Sequence, residues 1–244
     1  MIRIYFSDTI TLHEKMMLDD KTSHYLCTVM RQSEGDTCLL FNEKDGEFLC
    51  EIEKAHKKKA ELVVKERKRQ AKASPELHLY LSPLKKNTTD FAVEKATECG
   101  VTHIHFIKTD YTNATRVNVD RLSAIAREAA EQCRRLDVPQ LFDIVPFDRL
   151  AMNWPDNLCP IIAAEDGRGL SMQEIKQIKE KQGQTDLAPA LFIGPEGGFS
   201  EYEFECFQDF PNHKFLDLGP LILRAETAVV VGLSLINTLD LKCA

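Results

Sequence analysis

From residue 77 onward, short apolar segments alternate with segments of helical spacing, and this alternation limits the possible folds more than any other feature. The apolar segments have the length of strands and occupy residues 77–81, 101–108, 160–164, 190–194 and 214–218. Helical spacing covers residues 88–99, 121–135 and 224–239, and capping boxes at Ser171 and Ser200 predict two further helix starts. Strands that alternate with helices predict a parallel sheet covered on both faces, and therefore an α/β fold.

The first seventy residues differ from the rest because they are rich in short strands. Strand-like segments occupy residues 2–6, 37–41, 47–53 and 61–65. The dipeptide Asp45-Gly46 lies between two of them and is typical of a hairpin turn. We therefore predict a small β-barrel over residues 1–72, a charged linker over residues 67–75, and the α/β domain over residues 73–244.

The composition is that of an ordinary globular protein, with 43% hydrophobic and 28% charged residues. No apolar run approaches the roughly 18 residues of a membrane-spanning helix, and the first residues do not resemble a signal peptide. We therefore expect a cytoplasmic protein without a membrane partner. The eight cysteines are scattered without a CxxC pair, which favours reduced, buried thiols. The histidines show no metal-ligand pattern with carboxylates or cysteines, so no metal is predicted.

Charge is distributed unevenly along the chain. The formal net charge is −7, yet the stretch from Lys54 to Lys72 carries nine Lys or Arg and only two Glu. A basic stretch on an acidic protein is the pattern expected for contact with phosphate. Lysine-rich strand edges also prevent aggregation between sheets, so the sequence leaves a phosphate-binding face and a solvated edge equally open.

Two glycine-containing turns near the C-terminus are the strongest candidates for a ligand site. Gly194 and Gly219 each follow a predicted strand, are each followed by proline, and precede a predicted helix. Ligands of open α/β sheets bind beyond the carboxyl ends of the strands, and glycine lets main-chain groups approach a flat ring such as adenine. Neither turn matches a dinucleotide fingerprint or a phosphate-binding loop. The alternative is that the turns only connect strands to helices.

The residues of these turns closely resemble the ribosomal RNA small subunit methyltransferase E family, which belongs to the SPOUT class. The resemblance rests on residues 193–200 (IGPEGGFS) and 218–228 (LGPLILRAETA), and it extends over nearly the whole chain. Matching residues elsewhere are His24, Val29, Met30, Arg31, Gly35, Asp36, Lys85, Asp90, residues 95–98, Gly100, Val101, residues 128–132, Arg135, Val138 and Pro139.

This resemblance implies a fold, a reaction and a cofactor. It implies a PUA-like β-barrel followed by a SPOUT-type α/β domain with a C-terminal trefoil knot, an exception to the rule that folds are unknotted. It also implies a homodimer that uses S-adenosylmethionine to methylate N3 of one uridine in 16S rRNA. The residues expected to meet the cofactor are Ala164, Glu165, Ile193, Gly194, Gly198, Leu218, Gly219, Ile222 and Leu223.

Two residues of the second turn are candidates for chemistry. Arg224 opens the last predicted helix, where the helix dipole disfavours a cation. A guanidinium there could hold the uridine carbonyls and stabilise negative charge as N3 loses its proton, although a salt bridge to Glu226 or Glu196 would also explain it. Glu226 could accept that proton if buried, but its place in the first turn is also explained by the dipole.

Arg31, Lys85 and Arg135 are the predicted RNA-binding residues, with Arg31 expected to contact phosphate. The chain departs from the family pattern at Leu221, where the family often has a basic residue, and at Arg134, Leu136 and Asp137. These departures concern RNA contacts more than cofactor binding. We expect the substrate to be an assembled or partly assembled small ribosomal subunit, because an acidic protein with one basic face gains little from naked RNA.

Two other functions compete with methyl transfer to RNA. A non-catalytic RNA-binding factor for ribosome assembly could keep the same fold, but the intact glycines and Arg224 argue against it. Another enzyme of adenine nucleotides is disfavoured because the chain has no phosphate-binding loop.

Overall fold

The computed structural model describes residues 1–182 and 187–238 of the chain. It divides into two compact units. The first comprises Met1–Ser74 together with Ala130–Val138, and the second comprises Pro75–Ala129 and Pro139–Ala244. No helix of the described residues is long and apolar enough to cross a membrane. The seven cysteines in the described ranges are all free thiols, but only Cys38, Cys50 and Cys159 are buried, so the prediction of buried thiols is wrong for the other four. Cys243 lies outside those ranges.

The first unit is built on a five-stranded sheet in the order β1-β3-β4-β5-β2. Its elements are β1 (Arg3–Tyr5), β2 (Lys15–Met17), α1 (Asp20–His24), a π-helical turn (Tyr25–Val29), β3 (Thr37–Asn42), β4 (Gly46–Lys54) and β5 (Glu61–Arg69). The four predicted strands are present, whereas β2 and α1 were not predicted. The sheet has β1 and β2 as its edges, so the ladder of the described strands stays open rather than closing into a full barrel.

The predicted linker was placed too early. Strand β5 continues to Arg69, and Arg67 and Arg69 pair with Phe48 and Glu47 of β4. These exposed charged residues lie in a strand because their main-chain groups complete the ladder, while the guanidinium of Arg67 lies over the ring of Phe48 and Arg69 donates to the carbonyl of Arg134 at 2.7 Å. At the same end of β4, Gly46 forms the predicted hairpin with a φ of +100°, and a Cβ there would lie 2.2 Å from the carbonyl oxygen of Arg69.

Arg3 on β1 is the centre of a buried polar network in the first unit. Its Nε donates to Glu47 Oε2 at 2.7 Å, and the two side chains are only 6% and 8% exposed. The guanidinium also donates to the carbonyl oxygens of Ala130, Glu131 and Arg135 at 2.8–3.0 Å. These carbonyls lie at or just beyond the end of a helix, where no intrahelical partner remains. Arg3 therefore caps that helix end from a distant strand.

The second unit contains a six-stranded, fully parallel sheet in the order β11-β9-β10-β6-β7-β8. Its strands are β6 (His78–Leu81), β7 (His103–Lys108), β8 (Gln140–Pro146), β9 (Leu158–Ala163), β10 (Ala188–Ile193) and β11 (Lys214–Leu216). Helices α2 (Lys86–Glu98), α4 (Phe147–Met152), α5 (Met172–Gln182), α6 (Glu201–Gln208) and α7 (Ala225–Thr238) belong to this unit, while α3 (Val119–Cys133) ends within the first. The predicted parallel α/β architecture is confirmed, and β8 and α4 were not predicted.

Helices cover both faces of this sheet. Leu191 and Phe192 are neighbours on β10 and so point to opposite faces. Gly232 of α7 packs on Leu191, so closely that an added Cβ would lie 2.8 Å from its methyl group. On the other face, Phe192 packs in a cluster with Phe207 of α6 and Phe147 of α4. Both predicted capping boxes are present, at Ser200 with Glu203 and at Ser171 with Glu174.

Candidate cofactor and RNA site

Three strand ends meet at the carboxyl edge of the second unit's sheet. Strands β11, β9 and β10 are neighbours and run parallel, so the chain leaves all three at the same edge. The segments that follow them begin at Asp217, Ala164 and Gly194. The amide of Ala164 donates to the carbonyl of Leu216 at 3.0 Å, which ties two of these ends together. This edge is where open α/β sheets bind ligands.

The turn after β10 is compact because its glycines leave no room for side chains. A Cβ at Gly194 would lie 3.2 Å from the carbonyl carbon of Gly198 and 3.3 Å from the ring of Phe199. Gly198 has a φ of +71°, and a Cβ there would lie 3.2 Å from Glu165 Oε1. Gly194, Gly198 and Glu165, which were predicted together as cofactor residues, are therefore neighbours.

The turn after β11 is open. Gly219 has a φ of +117°, its amide donates to Asp217 Oδ1 at 2.8 Å, and a Cβ would meet nothing within 4 Å. The amides and carbonyls of Leu218, Ile222 and Leu223 have no hydrogen-bond partner among the described residues. The side chain of Ile222 is 82% exposed. Open space, unpaired main-chain groups and an exposed apolar side chain fit a flat ring with polar edges.

Not every predicted cofactor residue offers its main chain to a ligand. The carbonyl of Ile193 already accepts from the amide of Ser82 at 3.1 Å, and the amide of Gly198 donates to Pro195 at 2.9 Å. Ala164 and Ile193 are also buried. These residues shape the floor of the site, and the open main-chain groups come from the second turn.

Arg224 directly precedes helix α7, and its carbonyl accepts from the amide of Ala228 at 2.8 Å. Its side chain is exposed and makes no salt bridge with any residue in the described part of the chain. The structural alternative for Arg224, a salt bridge to Glu226 or Glu196, is therefore absent. Glu196 instead lies 4.0 Å from Lys85, and Glu226 is half-buried in the first turn of α7.

The three predicted RNA-binding residues have different surroundings. Arg31 is exposed and has a φ of +53°, a left-handed conformation that costs energy for a residue with a Cβ and often marks a functional position. Lys85 is 84% exposed at the start of α2. Arg31 and Arg135 belong to the first unit and Lys85 to the second.

Arg135 is held by Asp137, one of the residues at which the chain departs from the pattern of the family that it resembles. It donates to both carboxylate oxygens of Asp137, at 2.9 and 2.7 Å, and its side chain is only 10% exposed. Burial alone would raise the pKa of Asp137, but the hydrogen bonds and charge of Arg135 lower it below its usual value. Arg135 is therefore better placed to fix this loop than to contact a phosphate directly.

The loop after β7 was missed by the sequence analysis, although it contacts the first glycine turn. Asp110 Oδ2 accepts from Ser200 Oγ at 2.6 Å, and the amide of Asp110 donates to Glu203 Oε1 at 2.9 Å. Burial is the main reason why the pKa of Glu203 is raised. The next residue, Tyr111, is 54% exposed, and its Cβ and ring lie 3.3–3.5 Å from a Cβ placed on Gly197. The available signal was an aromatic residue three positions after the end of the strand predicted over residues 101–108.

The same loop borders an open cavity of about 770 Å³. Lys86 and Arg116 contribute positive charge to its wall, and Asp120 and Asp143 contribute negative charge. Arg121, which also lines it, is paired with Asp90. Lys86 and Arg116 make no salt bridge with the described residues, so the cavity offers two cations in the segments that follow β6 and β7.

The histidines of β6 and β7 do have a carboxylate neighbour, contrary to the sequence prediction. Glu76, His78 and His103 each offer one ligand atom, all within 4.8 Å of one another. However, the rings of His78 and His103 are stacked at 4.3 Å with an angle of 7° between their planes. Parallel rings direct their lone pairs side by side rather than toward one point, which does not suit tetrahedral coordination. We describe this group as a hydrogen-bonded stack, in which His78 also contacts His105 Nε2 at 3.0 Å.

Acid should destabilise the fold through His105. Burial lowers its pKa to about 3, with further lowering by His78 and His103, whereas an unfolded histidine titrates near 6.5. Because the pKa of His105 is lower in the folded state than in the unfolded state, its contribution to the free energy of unfolding is complete above pH 6.5. That contribution is lost progressively as the pH falls from 6.5 toward 3. We expect this residue to cost about 1–2 kcal/mol of unfolding free energy between pH 7 and 5.

Urea unfolding at several pH values would test this expectation, with His105→Phe as the variant and the exposed His24→Phe as the control. His105→Phe should flatten the acid dependence, and His24→Phe should retain it. Equal slopes for the unchanged protein and the His105 variant would contradict the prediction.

Comparison with known proteins agrees with the two-unit architecture. The RNA methyltransferase domain family matches residues 71–237, and the RNA methyltransferase PUA domain family matches residues 18–65. Ribosomal RNA small subunit methyltransferase E of Rickettsia conorii is 31% identical over 99% of this chain and 97% of its own length. The enzyme of the same name from Bacillus subtilis is 30% identical over 88% of this chain and 86% of its own.

The fold also matches a crystal structure. The ribosomal RNA small subunit methyltransferase E of Neisseria gonorrhoeae, bound to S-adenosyl methionine, superimposes with a TM-score of 0.87 at 23% identity and covers 98% of both chains. The family matches and the Rickettsia relative together confirm the resemblance and the SPOUT-like α/β fold. The chain belongs to the ribosomal RNA small subunit methyltransferase E family of RNA methyltransferases.

Proposed function

We propose that this protein transfers the methyl group of S-adenosylmethionine to N3 of one uridine in 16S rRNA. Family membership supports a methyltransferase of small-subunit ribosomal RNA. The observation that carries the proposal is the exposed Arg224, which makes no salt bridge with the described residues, beside the open Gly219 turn at the carboxyl edge of the sheet. We propose an assembled or partly assembled small subunit as substrate, a homodimer as the active form, and the cytoplasm as its location.

In this proposal, main-chain groups at Leu218, Ile222 and Leu223 hold the adenine, and the floor is formed by Ala164, Ile193 and the Gly194–Gly198 turn. When bound, S-adenosylmethionine supplies an electrophilic methyl group on a sulfonium. Glu165, adjacent to Gly198, stays a proposed contact of the cofactor's polar part.

The residues of the chain must deal with the proton on uridine N3, because that nitrogen is protonated at neutral pH. We propose that the guanidinium of Arg224 donates to the uracil carbonyls and stabilises the negative charge that develops as the proton leaves. Glu226, half-buried two residues later, is the proposed proton acceptor. Positioning of N3 against the methyl group supplies the remaining rate enhancement.

We also propose that the C-terminal part is tied in a trefoil knot and that the domain boundary lies near residue 72. The sheet order supports the knot, because β11 lies beside β9 and is separated by it from β10. The exposed apolar side chain of Leu221 suits burial against a second copy of the chain.

The decisive experiment is methylation of small subunits from a strain that lacks this gene, followed by mapping of the modified nucleotide by mass spectrometry. We expect one new methylated uridine in 16S rRNA, and more product from subunits than from naked rRNA. Calorimetry with S-adenosylmethionine distinguishes a methyltransferase from the alternative, because a non-catalytic assembly factor need not bind the cofactor. Absence of both binding and product would favour that alternative.

Gly219 should be required for cofactor binding. A valine there is strained by the φ of +117° and places its side chain in the open space of the turn. We expect Gly219→Val to weaken S-adenosylmethionine binding about tenfold or more, equivalent to roughly 1.4 kcal/mol or more. Gly100→Val is the matched control, because Gly100 has a φ of +87°, also with nothing within 4 Å, at the end of α2. Equal cofactor affinity for both variants would remove Gly219 from the site.

Salt dependence should distinguish the two interpretations of the basic stretch. Lys54, Lys65 and Lys68 are paired with glutamates, whereas Lys57, Lys58 and Lys59 are exposed in the turn between β4 and β5. Each RNA phosphate contact contributes about 0.7 to the slope of log affinity against log salt. Changing Lys57, Lys58 and Lys59 to Gln should therefore lower the slope for subunit binding by up to about 2. The same change at the three paired lysines is the control, and equal slopes would identify the stretch as a solvated edge.

A further inference from the structure

We propose that the ring of Tyr111 is the platform on which the target uracil stacks during methyl transfer, an inference that rests on the proposed function. Tyr111 lies three residues after the end of β7, which is two strands from β10 in the sheet. Its Cβ and ring lie 3.3–3.5 Å from the position of a Cβ on Gly197. A side chain at position 197 would therefore displace the ring, and glycine lets the turn and the ring lie against each other.

Packing within the protein covers only part of this ring. Tyr111 is 54% exposed, although burial of an aromatic ring is among the larger sources of stability that a side chain can provide. One edge of the ring packs on the glycine turn while the rest faces solvent. A large apolar surface next to a proposed active site, and open to a ligand, suits a planar partner.

The backbone that carries Tyr111 is fixed on both sides. Asp110 is anchored to the start of α6 through Ser200 and Glu203. On the other side, the amide of Thr109 donates to Thr112 Oγ1 at 3.1 Å, and the amide of Thr112 donates to the carbonyl of Thr109 at 3.0 Å. The backbone position of Tyr111 is therefore set before substrate arrives, which reduces the conformational entropy lost when a base stacks on its ring.

RNA is the partner that this surface fits. Enzymes that modify a base in structured RNA must take it out of its stack, and unstacked bases are received by aromatic side chains. Lys85, near the glycine turn, and Lys86 and Arg116, in the neighbouring cavity, offer positive charge for the flanking phosphates. A uracil stacked on Tyr111 would thus have its flanking phosphates near Lys85, Lys86 and Arg116. The proposed cofactor turn would lie on its other side.

The test compares Tyr111→Ala, Tyr111→Phe and Tyr202→Ala in steady-state methylation of small subunits that lack the modification. Tyr202 is the matched control, because it is also 54% exposed and belongs to the same unit, but it interacts with Asp148 and Cys206. We expect Tyr111→Ala to lower kcat/KM roughly ten- to a hundred-fold, since stacking on an aromatic ring contributes that much per base. Tyr111→Phe should stay within about threefold, because the ring rather than the hydroxyl stacks.

Affinity for S-adenosylmethionine and thermal stability should be unchanged in Tyr111→Ala. Loss of cofactor affinity together with activity would assign the ring to support of the glycine turn and overturn the proposal. Unchanged kcat/KM in Tyr111→Ala, or an equal loss in Tyr111→Phe, would overturn it as well.

A binding measurement separates this proposal from the proposed function. In Tyr111→Trp, stacking should quench the new indole fluorescence when a short RNA with the mapped uridine and its neighbours is added, or when small subunits are added. If the unchanged protein makes no methylated product, the proposed function fails, while quenching still reports whether a base stacks at this position. Absence of quenching at saturating RNA and subunits would overturn the stacking.

Discussion

Replacing Arg224 by alanine should slow methyl transfer by roughly ten- to a hundred-fold or more, because a hydrogen bond to a charged group is worth about 1.5–3 kcal/mol. The proposed contact forms mainly with charge that develops on the uracil as the N3 proton leaves. Loss of an interaction made in the transition state lowers kcat more than it raises KM. Arg224 is exposed and pairs with no carboxylate in the described residues, so its removal should leave the stability of the fold nearly unchanged.

Arg224→Lys should recover only part of the rate, because lysine keeps the charge and loses the planar fork of donors. The measurement is single-turnover methylation of small subunits at saturating cofactor, together with a cofactor titration. Arg149→Ala, at an exposed arginine of α4, controls for the loss of one positive charge. Weaker cofactor binding with a normal single-turnover rate would make Arg224 a binding residue and would refute the catalytic role.

Arg3→Met should lower the free energy of unfolding by about 3–5 kcal/mol, which is the cost of leaving one partner of a buried ion pair uncompensated. The variant would leave Glu47 charged and 8% exposed, and would remove the donor for three carbonyls. Lys15→Met is the matched control, since Lys15 also pairs with a glutamate but is 63% exposed. Exposed pairs contribute about 0–1 kcal/mol, so that change should be small.

Chemical denaturation of both variants, followed by circular dichroism, would measure this difference. The double variant Arg3→Met with Glu47→Gln should recover part of the loss, because no buried charge then lacks a partner. Equal stabilities of the Arg3 and Lys15 variants would show that the network contributes no more than a surface pair.

The alternation of strands and helices was enough to predict the parallel sheet, because strands buried on both faces are continuously apolar. The same rule explains why β8 was missed. Strand β8 is the edge of the sheet, and its residues Gln140–Pro146 are exposed or half-buried, so the apolar signal is weak. Strand β2 has only three residues, and α1 has five, which is too short for any periodicity to be read.

Local features of the candidate site, such as glycines in turns, could be predicted from the sequence. Contacts between residues far apart in the chain could not. A glycine in a turn after a strand indicates a backbone conformation that other residues rarely adopt, and Gly198 and Gly219 do have positive φ angles. The ion pair of Arg135 with Asp137 is local, between residues two positions apart, whereas the contact of Tyr111 with Gly197 depends on tertiary structure. No local pattern marks a residue 86 positions away in the chain as a neighbour of the turn.

The membership of residues 130–138 in the first unit has a consequence for synthesis of the protein. A chain is synthesised from its N-terminus at roughly 5–20 residues per second. Strand β1 is therefore made long before residues 130, 131 and 135, whose carbonyls accept hydrogen bonds from Arg3. Until residue 135 has left the ribosome, the guanidinium of Arg3 must be satisfied by water or by Glu47 alone. The N-terminal unit therefore reaches its final stability only after half of the chain has been translated, and a fragment that ends at residue 72 would leave this network permanently incomplete.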